Sequence, residues 1–131
     1  MSIELTPLER EVMEMLLRGD DAVLRVLRDQ LKASRVTGRE FTGTGFYTTF
    51  AVPDCVARVQ GNKSFNFGDV TAEIDGLQSG AGFVLFVKNG VIDFLEGYSY
   101  DEQWPLRVER FTLAYIGGTE RDLESLRKKW T

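Results

Sequence analysis

The chain has 131 residues, of which 43% are hydrophobic and 27% charged; 16 basic side chains stand against 20 acidic ones, for a net charge of −4. That length suits a single domain, residues 1–131, and the composition is that of a globular protein large enough to build one core. The chain contains no histidine, which excludes Ser-His-Asp and Cys-His catalysis, imidazole acid–base chemistry and every histidine-bearing metal site.

Cys55 is the only cysteine, so neither an intrachain disulfide nor a cysteine metal cluster can form. It stands beside Asp54, whose charge disfavours a thiolate, and reads as a small buried or half-buried residue. No metal or other cofactor is expected. The stretch Met1–Pro7 is acidic and lacks the apolar region of a signal peptide. The longest apolar run, Phe83–Val87, is too short to cross a bilayer, so a cytoplasmic protein with no membrane segment is expected. Charge is unevenly spread: residues 1–35 carry net −1, residues 36–105 net −5 and residues 106–131 net +2. An acidic middle without a basic patch argues against nucleic acid as a partner.

The first helix is signposted by Thr6-Pro7-Leu8-Glu9, an N-cap hydroxyl with proline at the first helical position and glutamate at N3. Leu8, Val12, Met15 and Leu16 give it an apolar stripe, and Gly19 suits its C-terminal end. Asp20 or Asp21 caps a second helix to about Lys32, with Val23, Leu24, Leu27 and Leu31 buried and Arg25, Arg28, Asp29 and Lys32 wet.

From Val36 onward the period falls to two. A strand around Arg39–Thr42 turns through Gly43-Thr44-Gly45 into one with Phe46, Thr48, Phe50 and Val52 on one side and Tyr47, Thr49 and Ala51 on the other. Gly61–Ser64 reads as a loop and Asp69–Asp75 as an alternating strand with Val70, Ala72 and Ile74 inward. Asn89-Gly90 between apolar runs predicts a hairpin with a type I′ turn. An unbroken register then sets Lys88 opposite Val91, Phe86 opposite Asp93, Leu85 opposite Phe94 and Phe83 opposite Glu96. In that register Phe94 joins Phe83, Leu85, Val87 and Ile92 on one face, with Glu96 at its rim. A last strand from about Leu106 to Ile116 is expected to bulge near Glu109-Arg110, and Thr119–Asp122 to cap a C-terminal helix bearing Leu123, Leu126 and Trp130. The order predicts an α+β fold: an N-terminal helical pair on a curved antiparallel sheet of five or six strands, with a short C-terminal helix.

Three constellations could carry chemistry. Asp69, Thr71, Glu73 and Asp75 set three carboxylates on one strand face, a spacing seen in sugar hydrolysis but equally in any solvated sheet face; it reads as a charged docking surface. Glu96-Gly97-Tyr98-Ser99-Tyr100-Asp101-Glu102-Gln103-Trp104-Pro105 alternates aromatics with acids, the side chains enriched in binding hot spots. Trp104 and one tyrosine could instead plug the end of the sheet. Glu96, if buried, would have a raised pKa or pair with Arg39, Arg58, Arg107 or Arg110. Thr42-Gly43-Thr44-Gly45 lacks the spacing of a phosphate-cradling loop and reads as a turn.

Arg39–Phe46, Gly82-Phe83, Leu85-Phe86, Asn89-Gly90, Leu95–Tyr98 and Trp104-Pro105, with Leu5, Pro7 and Glu9, resemble a group of small uncharacterised bacterial proteins of α+β class. The resemblance implies no catalytic residues. By size, charge and class the chain is also similar to immunity proteins, which neutralise toxins. The expected function is therefore a non-enzymatic module that binds a protein partner through Asp69, Glu73, Asp75, Glu96, Tyr98, Tyr100, Asp101, Glu102 and Trp104. The alternatives are a small-molecule pocket between helices and sheet, lined by Phe46, Phe50, Phe83 and Phe94, and a carboxylate-based hydrolase or isomerase using Glu96 with Asp93 or Glu73.

Overall fold

Both N-terminal helices begin where their caps predict. In the computed structural model, which describes residues 4–118 and 120–131, α1 spans Pro7–Leu16 and α2 spans Ala22–Ala33. Thr6 closes a capping box: its Oγ1 accepts from the Glu9 amide at 3.1 Å, and Glu9 Oε1 accepts from the Thr6 amide at 2.8 Å. The Asp21 carboxylate accepts from the Val23 and Leu24 amides. Arg28, expected to stay wet, instead donates to the carbonyls of Leu17 and Gly19 at 2.6 and 2.9 Å and closes the end of α1.

Seven strands follow, rather than five or six: β1 (Arg35–Phe41), β2 (Gly45–Ala51), β3 (Phe65–Phe67), β4 (Val70–Ile74), β5 (Ala81–Lys88), β6 (Val91–Ser99) and β7 (Phe111–Tyr115), then α3 (Leu123–Arg127). The sheet order is β1-β2-β6-β5-β4-β7 with every pairing antiparallel, and β3 pairs with β5 beside β4. β3 escapes a periodicity reading because three residues offer too little alternation. The last strand is shorter than expected; residues 106–110 run outside the sheet, held by one bond from the Asp75 amide to the Arg110 carbonyl. Asp122 caps α3 by accepting from the Ser125 amide; Thr119 lies outside the described residues. Cys55 is exposed, not half-buried, because it sits in the turn after β2 beside the exposed Pro53 and Asp54. No helix among the described residues is long and apolar enough to cross a membrane.

The β5–β6 hairpin turns through Asn89 and Gly90, with φ of 52° and 78°. Lys88 does face Val91, but the register slips one residue later. Val87 pairs with Ile92 and Phe86 with Phe94, leaving Asp93 as the extra residue of a bulge. Leu85 therefore faces Leu95 and Phe83 faces Gly97, one residue beyond the partners an unbroken register assigns. The physical reason is that Ile92 and Leu95, three residues apart, are both buried, which strict alternation forbids. Phe94 and Glu96 move to the opposite face.

Gln30 sits against this bulge, fully buried. Its Nε2 donates to the carbonyls of Gly90 and Ala57 at 2.9 and 3.0 Å, and its Oε1 accepts from the Ile92 amide at 2.9 Å. One side chain of α2 thus binds the hairpin end to the loop before β3. Replacing it leaves several buried polar groups unsatisfied, so Gln30→Ala is expected to lower stability by about 2–4 kcal/mol in urea unfolding.

The helices and one sheet face enclose the core, with Leu8, Val12, Leu24, Leu27, Phe83, Leu85 and Leu95 at its centre. Phe46 and Phe50 fill this interior as well, while Phe94 does not reach it, so the four phenylalanines share no cavity between helices and sheet. A carboxylate lies inside: Glu9, 2% exposed, accepts from Arg39 Nη2 at 2.5 Å, Arg39 Nε at 2.8 Å and the Thr48 hydroxyl. Burial by itself raises the Glu9 pKa, but the hydrogen bonds from Arg39, Thr48 and the Thr6 amide outweigh it and leave the pKa below the ordinary value. A lowered folded-state pKa contributes stability that is present above the unfolded carboxylate range and is lost as pH falls through the folded value. Acid unfolding of the wild type should therefore steepen below about pH 4.5, whereas Glu9→Gln should be less stable at neutral pH by about 3 kcal/mol and show a flatter acid limb by circular dichroism.

The uncovered sheet face as candidate site

Because the bulge sends Phe94 and Glu96 away from the core, the second face of the sheet acquires a composition of its own. Three rows cross it in register. The first runs Thr49, Phe94, Phe86 and Asn66; the second Glu40, Tyr47, Glu96 and Val84; the third Gly45, Tyr98, Gly82, Thr71 and Ala114. None of the apolar side chains in these rows belongs to the core or packs against it. Val84, Phe86, Phe94 and Tyr98 stay partly exposed although β5 and β6 are the two central strands. The buried side chains of α1 and α2 belong to the core on the other face.

The aromatics of this face are ordered by contact with one another. Phe86 and Phe94 stack with ring centroids 4.3 Å apart, and Tyr47 meets Phe94 edge-on at 5.6 Å. Tyr98 lies flat across Gly82, where a methyl group would collide with its ring; on the core side the Phe46 ring covers Gly97 in the same way. Those two glycines let an aromatic from the paired strand press against the backbone. Tyr100, 53% exposed, meets Tyr98 edge-on at 5.8 Å.

The electrostatics set this face apart. Six carboxylates of the chain are buried or half-buried: Glu9, Asp21, Asp69, Asp93, Glu96 and Glu102. Four have strong partners. Glu9 holds Arg39; Asp21 holds Arg127 at 2.9 Å and the amides of α2; Asp69 receives Arg121 through both oxygens at 2.8 and 2.9 Å; Glu102 accepts from the Gln78 and Ser79 amides. Asp93 and Glu96, both in β6, have no salt bridge among the described residues. Glu96 instead stands by the Tyr47 hydroxyl, raising the phenol's pKa first as hydrogen-bond acceptor and then by its charge, with Glu40 adding to the effect from β1. Burial, followed by contact with Tyr100, raises the Tyr98 phenol as well. The basic residues on this side, Arg35 and Lys88, lie at the far end of the face, near the β5–β6 turn.

The structure divides the residues singled out by sequence into two groups. Glu73, Glu96, Tyr98 and Tyr100 share the uncovered face, and Asp75 and Asp101 lie exposed in the loops at its acidic end. Asp69, Glu102 and Trp104 are engaged within the protein. Asp69 and Arg121 tie the C-terminal segment to α1, since Arg121 also donates to the Leu16 and Arg18 carbonyls. The two amides it accepts hold the Glu102 pKa below its ordinary value and fix the β4–β5 turn. Trp104, 6% exposed, packs edge-on against Phe46 at 5.4 Å and plugs the end of the sheet. Beside it a shallow 280 Å³ depression carries the exposed side chains of Phe41 and Leu106. Glu40, Tyr47 and Phe86 were not singled out because they meet Glu96 and Phe94 only across strands, while Phe94 was assigned to a pocket on the core side and Asp93 to a catalytic pair with Glu96. Among the described residues no cluster of His, Cys, Asp or Glu could hold a metal ion.

Comparison with protein-family models, with curated proteins and with solved structures finds no match to this chain in any of the three. What can be said of the site therefore comes from its geometry: aromatic side chains and unpaired carboxylates on one uncovered face of an α+β domain. Glu96→Gln should bring the Tyr47 phenol pKa down toward its ordinary value, with Tyr98 affected less. Tyrosine Cζ shifts followed by NMR through an alkaline titration check this.

Proposed function

We propose that this chain is a non-enzymatic protein-binding module that docks a basic protein through the uncovered face of its sheet. A neutraliser of a basic toxin-like enzyme, as immunity proteins are, is the specific form of this reading. The observation that carries it is the pair of half-buried β6 carboxylates, Asp93 and Glu96, left without a cation on a face of stacked aromatics. The chain's other buried and half-buried carboxylates are matched by arginines or backbone amides. An unmatched negative face steers a positive partner and disfavours an acidic one. Tyr47, Phe86, Phe94, Tyr98 and Tyr100 supply rigid contact area at little entropic cost.

Affinity capture from the source cell with the full-length chain, followed by calorimetric titration of the purified partner, tests the reading. A basic protein is expected, bound at least tenfold more weakly by Glu96→Lys and unchanged by Leu106→Ser, which alters an exposed side chain away from the face. An acidic partner, or one indifferent to Glu96→Lys, overturns it.

A further inference from the structure

Within that face the row Glu40, Tyr47, Glu96 has a geometry of its own. Three adjacent strands present these residues side by side, since Glu40 pairs with Tyr47 and Tyr47 pairs with Glu96. The two glutamates thus flank one tyrosine, with their strands about 10 Å apart. Phe94 makes a T-shaped contact with Tyr47 and stacks on Phe86, so partly exposed aromatic rings border the row. The chain's own arginine nearest in sequence, Arg39, is turned to the other face and donates there to Glu9 and the Glu4 carbonyl.

We propose that the Glu40–Tyr47–Glu96 row is the seat of a single arginine side chain supplied by the basic partner, a step that rests on the docking reading above. A guanidinium is planar and carries donors on opposite edges, so it can pack against the bordering rings while donating to carboxylates on both sides. A lysine ammonium is a compact point charge and reaches one glutamate at a time. The seat also accounts for Glu96 being half-buried without a salt bridge: its cation comes from outside the chain.

Backbone-amide NMR of the full-length protein tests this without the partner, using acetyl-Gly-Arg-Gly-amide as the probe. Its lysine analogue and its uncharged citrulline analogue serve as controls. The arginine peptide is expected to shift the amides of Tyr47, Phe94 and Glu96 saturably in the millimolar range, with no such shift from the citrulline peptide. Glu96→Gln and Glu40→Gln, both at solvent-accessible positions, should keep the native spectrum and each weaken binding about threefold to tenfold. An equal response to the lysine peptide, shifts confined to the Glu73–Asp101 end, or no saturable shift overturns the arginine seat. That failure is separable from failure of the docking reading, which is judged on whether Glu96→Lys weakens the intact partner.

Discussion

The extra residue at Asp93 decides what each face of the sheet is. Without it, Phe94 would fall toward the helices and Leu95 away from them, and Glu96 would meet the core. With it, Ile92 and Leu95 are both buried and the aromatic and acidic side chains emerge together on the far side. A bulge leaves backbone polar groups without ladder partners, and in a buried hairpin those groups must be satisfied. Gln30 does so from α2, taking the Ile92 amide and the Gly90 carbonyl at once. The helical layer and the composition of the uncovered face are therefore linked through one buried amide side chain.

The ion pairs divide the labour of holding the layers together. Glu9 and Arg39 join α1 to β1, Asp69 and Arg121 join the C-terminal segment to β4, and Asp21 and Arg127 join α3 to the start of α2. Glu9 and Asp21 also serve at the helix caps, Glu9 through the Thr6 amide and Asp21 through the Val23 and Leu24 amides, while the arginine paired with Asp69 also donates to the Leu16 and Arg18 carbonyls. Such sharing offsets the cost of removing a charge from water, which an isolated buried pair often does not recover. Tyr115 adds to the C-terminal anchor, donating to the Met15 carbonyl while its ring lies under Arg121.

Much of the fold was legible because its signals are local. The Thr6–Glu9 capping box, the Asp21 cap, the Asn89-Gly90 turn and the alternation of Val70–Ile74 each report on a few adjacent residues, and each stands in the structure. What escaped the sequence depends on distant partners. The Asp93 bulge is stabilised by Gln30, 63 positions away, and β3 exists only because β5 offers it an edge. The site suffered most from this, since one residue of slip exchanges the two faces. Glu96, Tyr98 and Tyr100 were found because aromatics and acids alternate around them, whereas Tyr47 and Phe86 join them only across strands and Phe94, in the same strand, was assigned to the core face by the unbroken register. Trp104 and Glu102 showed the same alternation, yet their side chains close the end of the sheet.

The proposed docking role asks less of the uncovered face than carboxylate catalysis would, for a physical reason. General acid–base catalysis by carboxylates needs an enclosed site, where water is excluded and one acid is held protonated by its surroundings. Glu40 and Glu73 are exposed and Glu96 half-buried, with partly exposed aromatic neighbours in Tyr47, Phe86, Phe94 and Tyr98. On such a surface an ionised carboxylate remains a good acceptor for a donor brought by another molecule. Flat aromatic rings then contribute most when that donor arrives on a large, weakly hydrated group that can also lie against them. Docking of a cation-bearing surface, the reading proposed above, asks of this face only such exposed acceptors and rings.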